Sequence, residues 1–153
     1  MFKRQEASRL REEFWTTFGR YMRPVLSTEG VKINWINYKT TLKDVYFRMD
    51  VNQKSAMISI ALEHPEASIR ELYFQQFLEL KILLHTTMDE EWEWEEMVST
   101  TDNKVVARIY KELPGVSVFN KEQWPDLINF FKPRIIALDR FWADACYSFE
   151  ALR

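Results

Sequence analysis

The sequence predicts an α+β fold: an antiparallel sheet of five to six strands covered by helices, in the order α-β-β-β-α-β-β-(β)-α. Three observations predict it. Apolar residues recur every three or four positions in the first, middle and last segments, and every second position between them. Short polar stretches separate the alternating runs, as hairpin loops do. Only three Gly and five Pro interrupt 153 residues that are 46% hydrophobic, which points to a packed core rather than a low-complexity chain. The length suits one domain, residues 1–153.

In the first segment Leu10, Phe14, Phe18 and Tyr21 or Met22 keep helical spacing. Gly19 is a weak point there, and Pro24 ends or bends the helix. Ser27 to Gly30 reads as a loop. Val31, Ile33 and Trp35 then alternate with Lys32, Asn34 and Ile36, which predicts a first strand. After a polar turn at 40–44, Val45, Phe47 and Met49 alternate with Tyr46, Arg48 and Asp50. A turn at 51–54 leads to Ala56, Ile58, Ile60 and Leu62 on one face of a third strand. Pro65 suits the first turn of a helix over about 66–86, expected to be the main cover of the sheet.

A second hairpin follows. Trp92 and Trp94 alternate with Glu93 and Glu95, and Val105, Ala107 and Ile109 alternate with Val106, Arg108 and Tyr110. The turn lies at 101–104. Pro114 and Gly115 break the chain, and 116–119 could form one more short strand. Asn120 is placed to cap a final long helix, and Gln123 three residues on completes a capping-box pattern. Pro133 inside that helix predicts a kink or break near 129–132.

Net charge is −2, which lacks the basic excess of a dedicated nucleic-acid binder. The charges are nonetheless uneven. Residues 1–23 hold six Lys or Arg against three Glu, and Lys3, Arg4, Arg9 and Arg11 form a candidate basic face. Residues 89–96 hold six carboxylates and no base. Each cluster reads either as a solvated face or as half of an electrostatic seam, to a partner or between two copies of the chain. No apolar run reaches the ~18 residues of a membrane span. The charged N-terminus leaves no apolar core for a signal peptide, and a single cysteine, Cys146, favours a cytoplasmic location.

Catalytic motifs do not emerge. The three glycines are scattered, so no phosphate-cradling loop forms. His64 and His85 flank a helix of about 30 Å and cannot share a metal. They read as a loop residue and a cation at a helix C-terminus, and Cys146 reads as a small apolar filler. The order helix, three strands, helix, strand is that of restriction-endonuclease-like cores. Those sites need an acid on the second strand and an acid-x-Lys pair on the third, to hold Mg²⁺. Asp50 is available, but the third strand has no carboxylate before Glu63. No metal or cofactor is implied.

Aromatic residues make up 15% of the chain, including six Trp and six Tyr. Most belong in a core, but Trp and Tyr are enriched at interfaces. Tyr46 and Arg48 on the polar side of their strand, with Tyr38 near them and Glu93 and Glu95 on the acidic hairpin, form the candidate interaction surface.

Several segments carry a resemblance: Phe14-Trp15 with Phe18; Ile33-Asn34-Trp35 with Tyr38-Lys39; Tyr46-Phe47-Arg48-Met49; Phe77-Leu78-Glu79-Leu80; Trp92-Glu93-Trp94; Leu113-Pro114-Gly115-Val116; Trp124-Pro125; and Phe131-Lys132-Pro133. In this order they resemble a bacterial family, domain of unknown function 4268, over nearly the whole chain. The resemblance implies small stand-alone proteins or domains attached to nuclease-like or restriction-related modules, and it supplies no catalytic residues. The expected function is therefore a non-catalytic binding or assembly domain, a homo-oligomer. The alternative is an accessory domain in nucleic-acid processing or restriction, beside a nuclease-like partner protein, with direct nucleic-acid binding left open.

Overall fold

The computed structural model describes residues 3–152. It is α+β, with four helices and a four-stranded antiparallel sheet. Helix α1 (Arg4–Met22) precedes a long ordered loop, the hairpin β1 (Val45–Val51) and β2 (Ser55–Leu62), and helices α2 (Ala67–Glu79) and α3 (Lys81–Met88). The hairpin β3 (Glu93–Ser99) and β4 (Val105–Pro114) leads through a 3-10 turn to helix α4 (Trp124–Ala145). The sheet order is β1-β2-β4-β3.

Register follows from alternation. Phe47, Ile60, Ile109 and Trp94 lie in one row across the sheet, and Tyr46, Ala61, Arg108 and Glu95 in the next. Successive side chains point to opposite faces, so the first row faces the helices and the second faces away. On the helix side, Phe47 packs edge-on against Trp142 (5.8 Å between ring centroids), and Phe77 stacks on Trp142 and meets Phe149 at 4.7 Å. Helix α2 lies against both β2 and β4, as expected of the helix after Pro65, and α4 joins it on β2 while also packing against α1 and α3; eleven residues of α4 are buried.

Four expectations are corrected. Residues 31–36 form no strand, because Asn34 Oδ1 accepts the backbone N–H groups of Ile36 and Asn37, both at 3.1 Å, and folds the backbone into a turn. Residues 116–119 form no strand either. Val118 donates one isolated bond to Asn52 O before Asn120 turns back onto Ser117. The sheet therefore has four strands, not five or six. The helix expected over 66–86 is two helices, with Leu80 (φ −96°, ψ 8°) between them, so that Leu84 and Met88 of α3 are buried.

Helix α4 runs unbroken through Pro133. The proline removes one N–H from the ladder. Burial of Phe130, Phe131, Ile135 and Leu138 around it outweighs that loss. Asn120 does cap the 3-10 turn before α4, accepting the N–H of Glu122 at 3.1 Å. Gln123 does not close a capping box; its Oε1 accepts from the N–H of Ser117 instead.

Candidate functional site

Alternation along β1 and β4 builds the outer face of the sheet. Arg48 lies over the Tyr46 ring at 4.4 Å and grips Glu63 through both carboxylate oxygens, at 2.6 and 2.8 Å. Arg108 lies over the Tyr110 ring at 4.6 Å and donates to Glu95 at 2.9 Å. Each arginine stacks on the tyrosine two residues away on its own strand. Between the two stacks, the small residues Ser59 and Ala61 of β2 are buried. These exposed ion pairs contribute only about 0–1 kcal/mol each; they set the geometry of the face. Four of the five residues expected to form an interaction surface, Tyr46, Arg48, Glu93 and Glu95, share this face. The carboxylates outnumber the cations there, since Asp50, Glu63 and Glu112 join Glu93 and Glu95 against Arg48 and Arg108.

Tyr38 lies elsewhere. Its ring stacks on Phe47, 5.0 Å away on the helix side of the sheet. Its hydroxyl donates to Asp139 Oδ1 at 2.5 Å. Asp139 is a buried carboxylate on α4, and its Oδ2 accepts the N–H of Thr28 at 2.7 Å. A cleft of about 420 Å³ opens here, with Thr40, Trp142 and Cys146 in its wall. Burial and then the neighbouring carboxylate push the Tyr38 phenol far above its usual range, so it holds its proton. Trp142 Nε1 donates to Thr40 O at 2.9 Å beside it. The cluster therefore clamps the loop between α1 and β1 onto α4.

The basic residues of α1 divide. Lys3, Arg4, Arg9 and Arg11 have no carboxylate partner among the described residues. Arg11 lies over the Phe119 ring at 5.8 Å and borders a hollow with Lys54 and Asn52. Helical spacing puts Arg4, Ala7 and Arg11 on one side and Arg9 on another. A second groove, near the C-terminal end of α1, is lined by Trp15, Arg20, Arg23 and Lys32.

The acidic run at 89–96 is only partly a solvated face. Asp89 takes the left-handed conformation (φ 57°) and ends α3. Glu90 then receives Arg134 through both oxygens at 2.8 Å, and also the Trp92 indole N–H at 2.8 Å. Desolvation works to raise the Glu90 pKa. The hydrogen bonds from Arg134 and Trp92, with the charges of Arg134 and Lys111, outweigh it and leave the group below its ordinary 4.5. A depressed carboxylate contributes stability that is fully present above the unfolded value and lost as pH falls through the folded one. Glu90→Gln is expected to cost about 2 kcal/mol at pH 7 and to flatten the fall in stability below pH 4.5. Urea titrations at pH 7 and at successively lower pH check this; equal acid slopes for the variant and the parent would contradict it.

His85 stands in the last turn of α3, where the sequence places it, and its Nε2 accepts N–H groups from the Trp92 backbone and the Trp94 indole, both at 3.3 Å. His64 is a loop residue, accepting the N–H of Glu66 at 3.0 Å. Asp50 and Glu63 do not form a paired metal site: Glu63 is gripped by Arg48, and no group of three His, Cys, Asp or Glu suited to a metal occurs among the described residues.

A family model, Domain of unknown function (DUF4268), matches residues 10–146, as the resemblance read from the sequence implies. The chain belongs to the DUF4268 family. No curated protein and no solved structure matches it. The match spans α1 to α4 and so includes the outer sheet face, the Asp139 clamp and the groove beside α1 of this DUF4268 domain. No helix among its described residues is long and apolar enough to cross a membrane.

Sequence reasoning missed Asp139, Arg134, Arg20, Arg23 and Lys32 as site residues. One signal pointed to Asp139: Ile135, Asp139 and Trp142 follow helical spacing, so the acid stands on the apolar stripe of α4.

Proposed function

We propose that this DUF4268 domain is a non-catalytic binding and assembly module that associates head to tail with further copies of itself. The acidic outer face of the sheet in one copy would meet the basic start of α1 in the next. One observation supports the reading: both charge classes are largely unspent. Lys3, Arg4, Arg11 and Lys54 have no carboxylate partner among the described residues, while Glu93, Glu96 and Glu112 have no cation. Such an arrangement repels its own kind and attracts its complement, so like faces do not meet and the acidic face of one copy seeks the basic patch of another. Exposed Tyr46 and half-exposed Tyr110 supply aromatic area beside the carboxylates.

Sedimentation over a concentration series at low salt tests this. The mass is expected to rise above 18.5 kDa with concentration and to fall back as salt screens the contact. Arg4→Glu with Arg11→Glu should abolish the rise, and Glu93→Lys with Glu112→Lys in the same chain should restore it. A mass of one chain at every concentration in low salt would sink the proposal.

The alternative, an accessory domain in nucleic-acid processing or restriction beside a nuclease-like partner, loses its strand-order support. The first of the three strands it required is the Asn34 turn.

A further inference from the structure

We propose that the groove between the C-terminal half of α1 and residues 32–36 binds a small phosphorylated ligand, held by Arg20, Arg23, Lys32 and the Trp15 indole N–H. The groove is open to solvent and measures about 800 Å³, within the size range of small-molecule sites. Its wall contains these three cations and no carboxylate. That is unexpected in a chain with 23 acidic residues against 21 basic ones. Arg20, Arg23 and Lys32, like most cations of the chain, have no carboxylate partner among the described residues; what sets them apart is that they line one space. Three like charges facing one space repel each other, and a multiply charged anion relieves that repulsion.

Trp15 is the second, independent observation. The other five indole N–H groups each have an acceptor: Trp35 in Val25 O, Trp92 in Glu90, Trp94 in His85, Trp124 in Val118 O and Trp142 in Thr40 O. Trp15 alone has none among the described residues, and it borders this groove. Its ring is fixed by Phe131 at 5.4 Å and Phe14 at 5.0 Å, so a solvent-accessible donor is held in one orientation, open to a ligand. Asn34 spends its side-chain oxygen on the backbone turn, which leaves its NH₂ as a further donor. The polar lining is therefore rich in donors and in positive charge, the complement of phosphate oxygens.

Arg20 lies in the last turn of α1 and Arg23 just beyond it, where cations offset the helix dipole. That accounts for neither Lys32, which arrives from the loop, nor the unpartnered indole. Gly19 lets the loop close on the helix: a Cβ there would come within 3.2 Å of Ile36 Cδ1. Ile33, Ile36 and Met22 add apolar wall for the body of the ligand. The site stands apart from the charged surfaces of the assembly proposal, so each can fail without the other.

The test is a titration of the whole chain with pyrophosphate, followed by two-dimensional N–H NMR. Trp15→Phe identifies the Trp15 indole signal. That signal is expected to shift saturably while those of Trp92, Trp94, Trp124 and Trp142, which do not line the groove, stay nearly still. Arg20→Gln with Arg23→Gln should raise the apparent Kd at least about tenfold, with those four indole signals in place to show an intact fold. Succinate should bind much more weakly, because its single-plane carboxylates carry less charge per group. A 5′-phosphorylated oligonucleotide should bind through its end only, so the same strand without the phosphate should not shift the signal. The proposal is overturned by a static Trp15 signal up to about 10 mM pyrophosphate, by unchanged affinity in the double variant, by equal binding of succinate, or by equal binding of the unphosphorylated strand.

Discussion

Replacing Asp139 by alanine is expected to lower the stability of the domain by about 3 kcal/mol. The carboxylate holds two donors, the Tyr38 hydroxyl at 2.5 Å and the Thr28 N–H at 2.7 Å. Truncation strands both in a part-buried site, and each unmade bond to a charged group costs about 1.5–3 kcal/mol. Water entering through the adjoining cleft recovers part of the sum. For a chain of this size, a loss near 3 kcal/mol lowers Tm by roughly 10 °C. Tyr38→Phe removes one bond and should cost about half as much. Asp139→Asn keeps one acceptor and should fall between parent and alanine. A double-mutant cycle of Tyr38→Phe with Asp139→Ala, read by urea unfolding, should show a coupling of at least about 1 kcal/mol. A loss below about 1 kcal/mol for Asp139→Ala would mean that the loop between α1 and β1 is held by the indole bonds of its own Trp35 and of Trp142 on α4 rather than by this carboxylate.

That loop also marks where the sequence stops being readable. The hairpins β1–β2 and β3–β4 were legible because a half-buried strand must alternate, and their registers carry Tyr46, Arg48, Glu93 and Glu95 to one face without further information. Helix α1 was legible from Phe14, Phe18 and Met22, all buried. Residues 31–36 alternate just as well, but alternation states only which side chains would share a face if a neighbouring strand existed. Here Asn34 captures two backbone N–H groups locally, and the indole of Trp35 donates to Val25 O across the loop. Tyr38 was consequently placed with Tyr46, although its ring lies on Phe47, on the opposite side of the sheet.

The candidate sites divide along the same line. The acidic hairpin and the basic start of α1 are runs in the sequence, visible as composition. The groove joins Arg20 and Arg23 to Lys32 only because Pro24 ends the helix and the chain doubles back. The fate of the acids is likewise tertiary: Glu90 is spent on Arg134, 44 residues away, while Glu93, three residues from it, stays exposed. No count of charges in a window separates those two roles.

The largest expected loss belongs to Phe131→Ala, about 4 kcal/mol. Phe131 is fully buried and lies within 6.3 Å of three rings on α1: Phe14 at 6.3 Å, Trp15 at 5.4 Å and Phe18 at 6.0 Å. Helix α1 is outside the sheet, and its one ion pair among the described residues, Glu13 with Lys121 at 3.0 Å, is exposed. Its attachment to α4 therefore depends on this aromatic cluster, with Trp124 touching Phe14 at its edge. Phe→Ala removes the transfer energy of the ring and leaves a cavity that two rigid helices cannot readily collapse. The loss should be local as well as global. Amide exchange in α1 should accelerate more than in β2 or β4, and the Trp15 indole signal should lose its fixed position. Phe131→Leu keeps most of the volume and should recover more than half of the stability. If Phe131→Ala destabilised all elements equally and left α1 exchange tied to the global unfolding rate, α1 would be an integral part of the core rather than a helix docked on it through one ring. The groove beside Trp15 would then owe its shape to the whole fold, and the Phe131→Leu variant would bind pyrophosphate as the parent does.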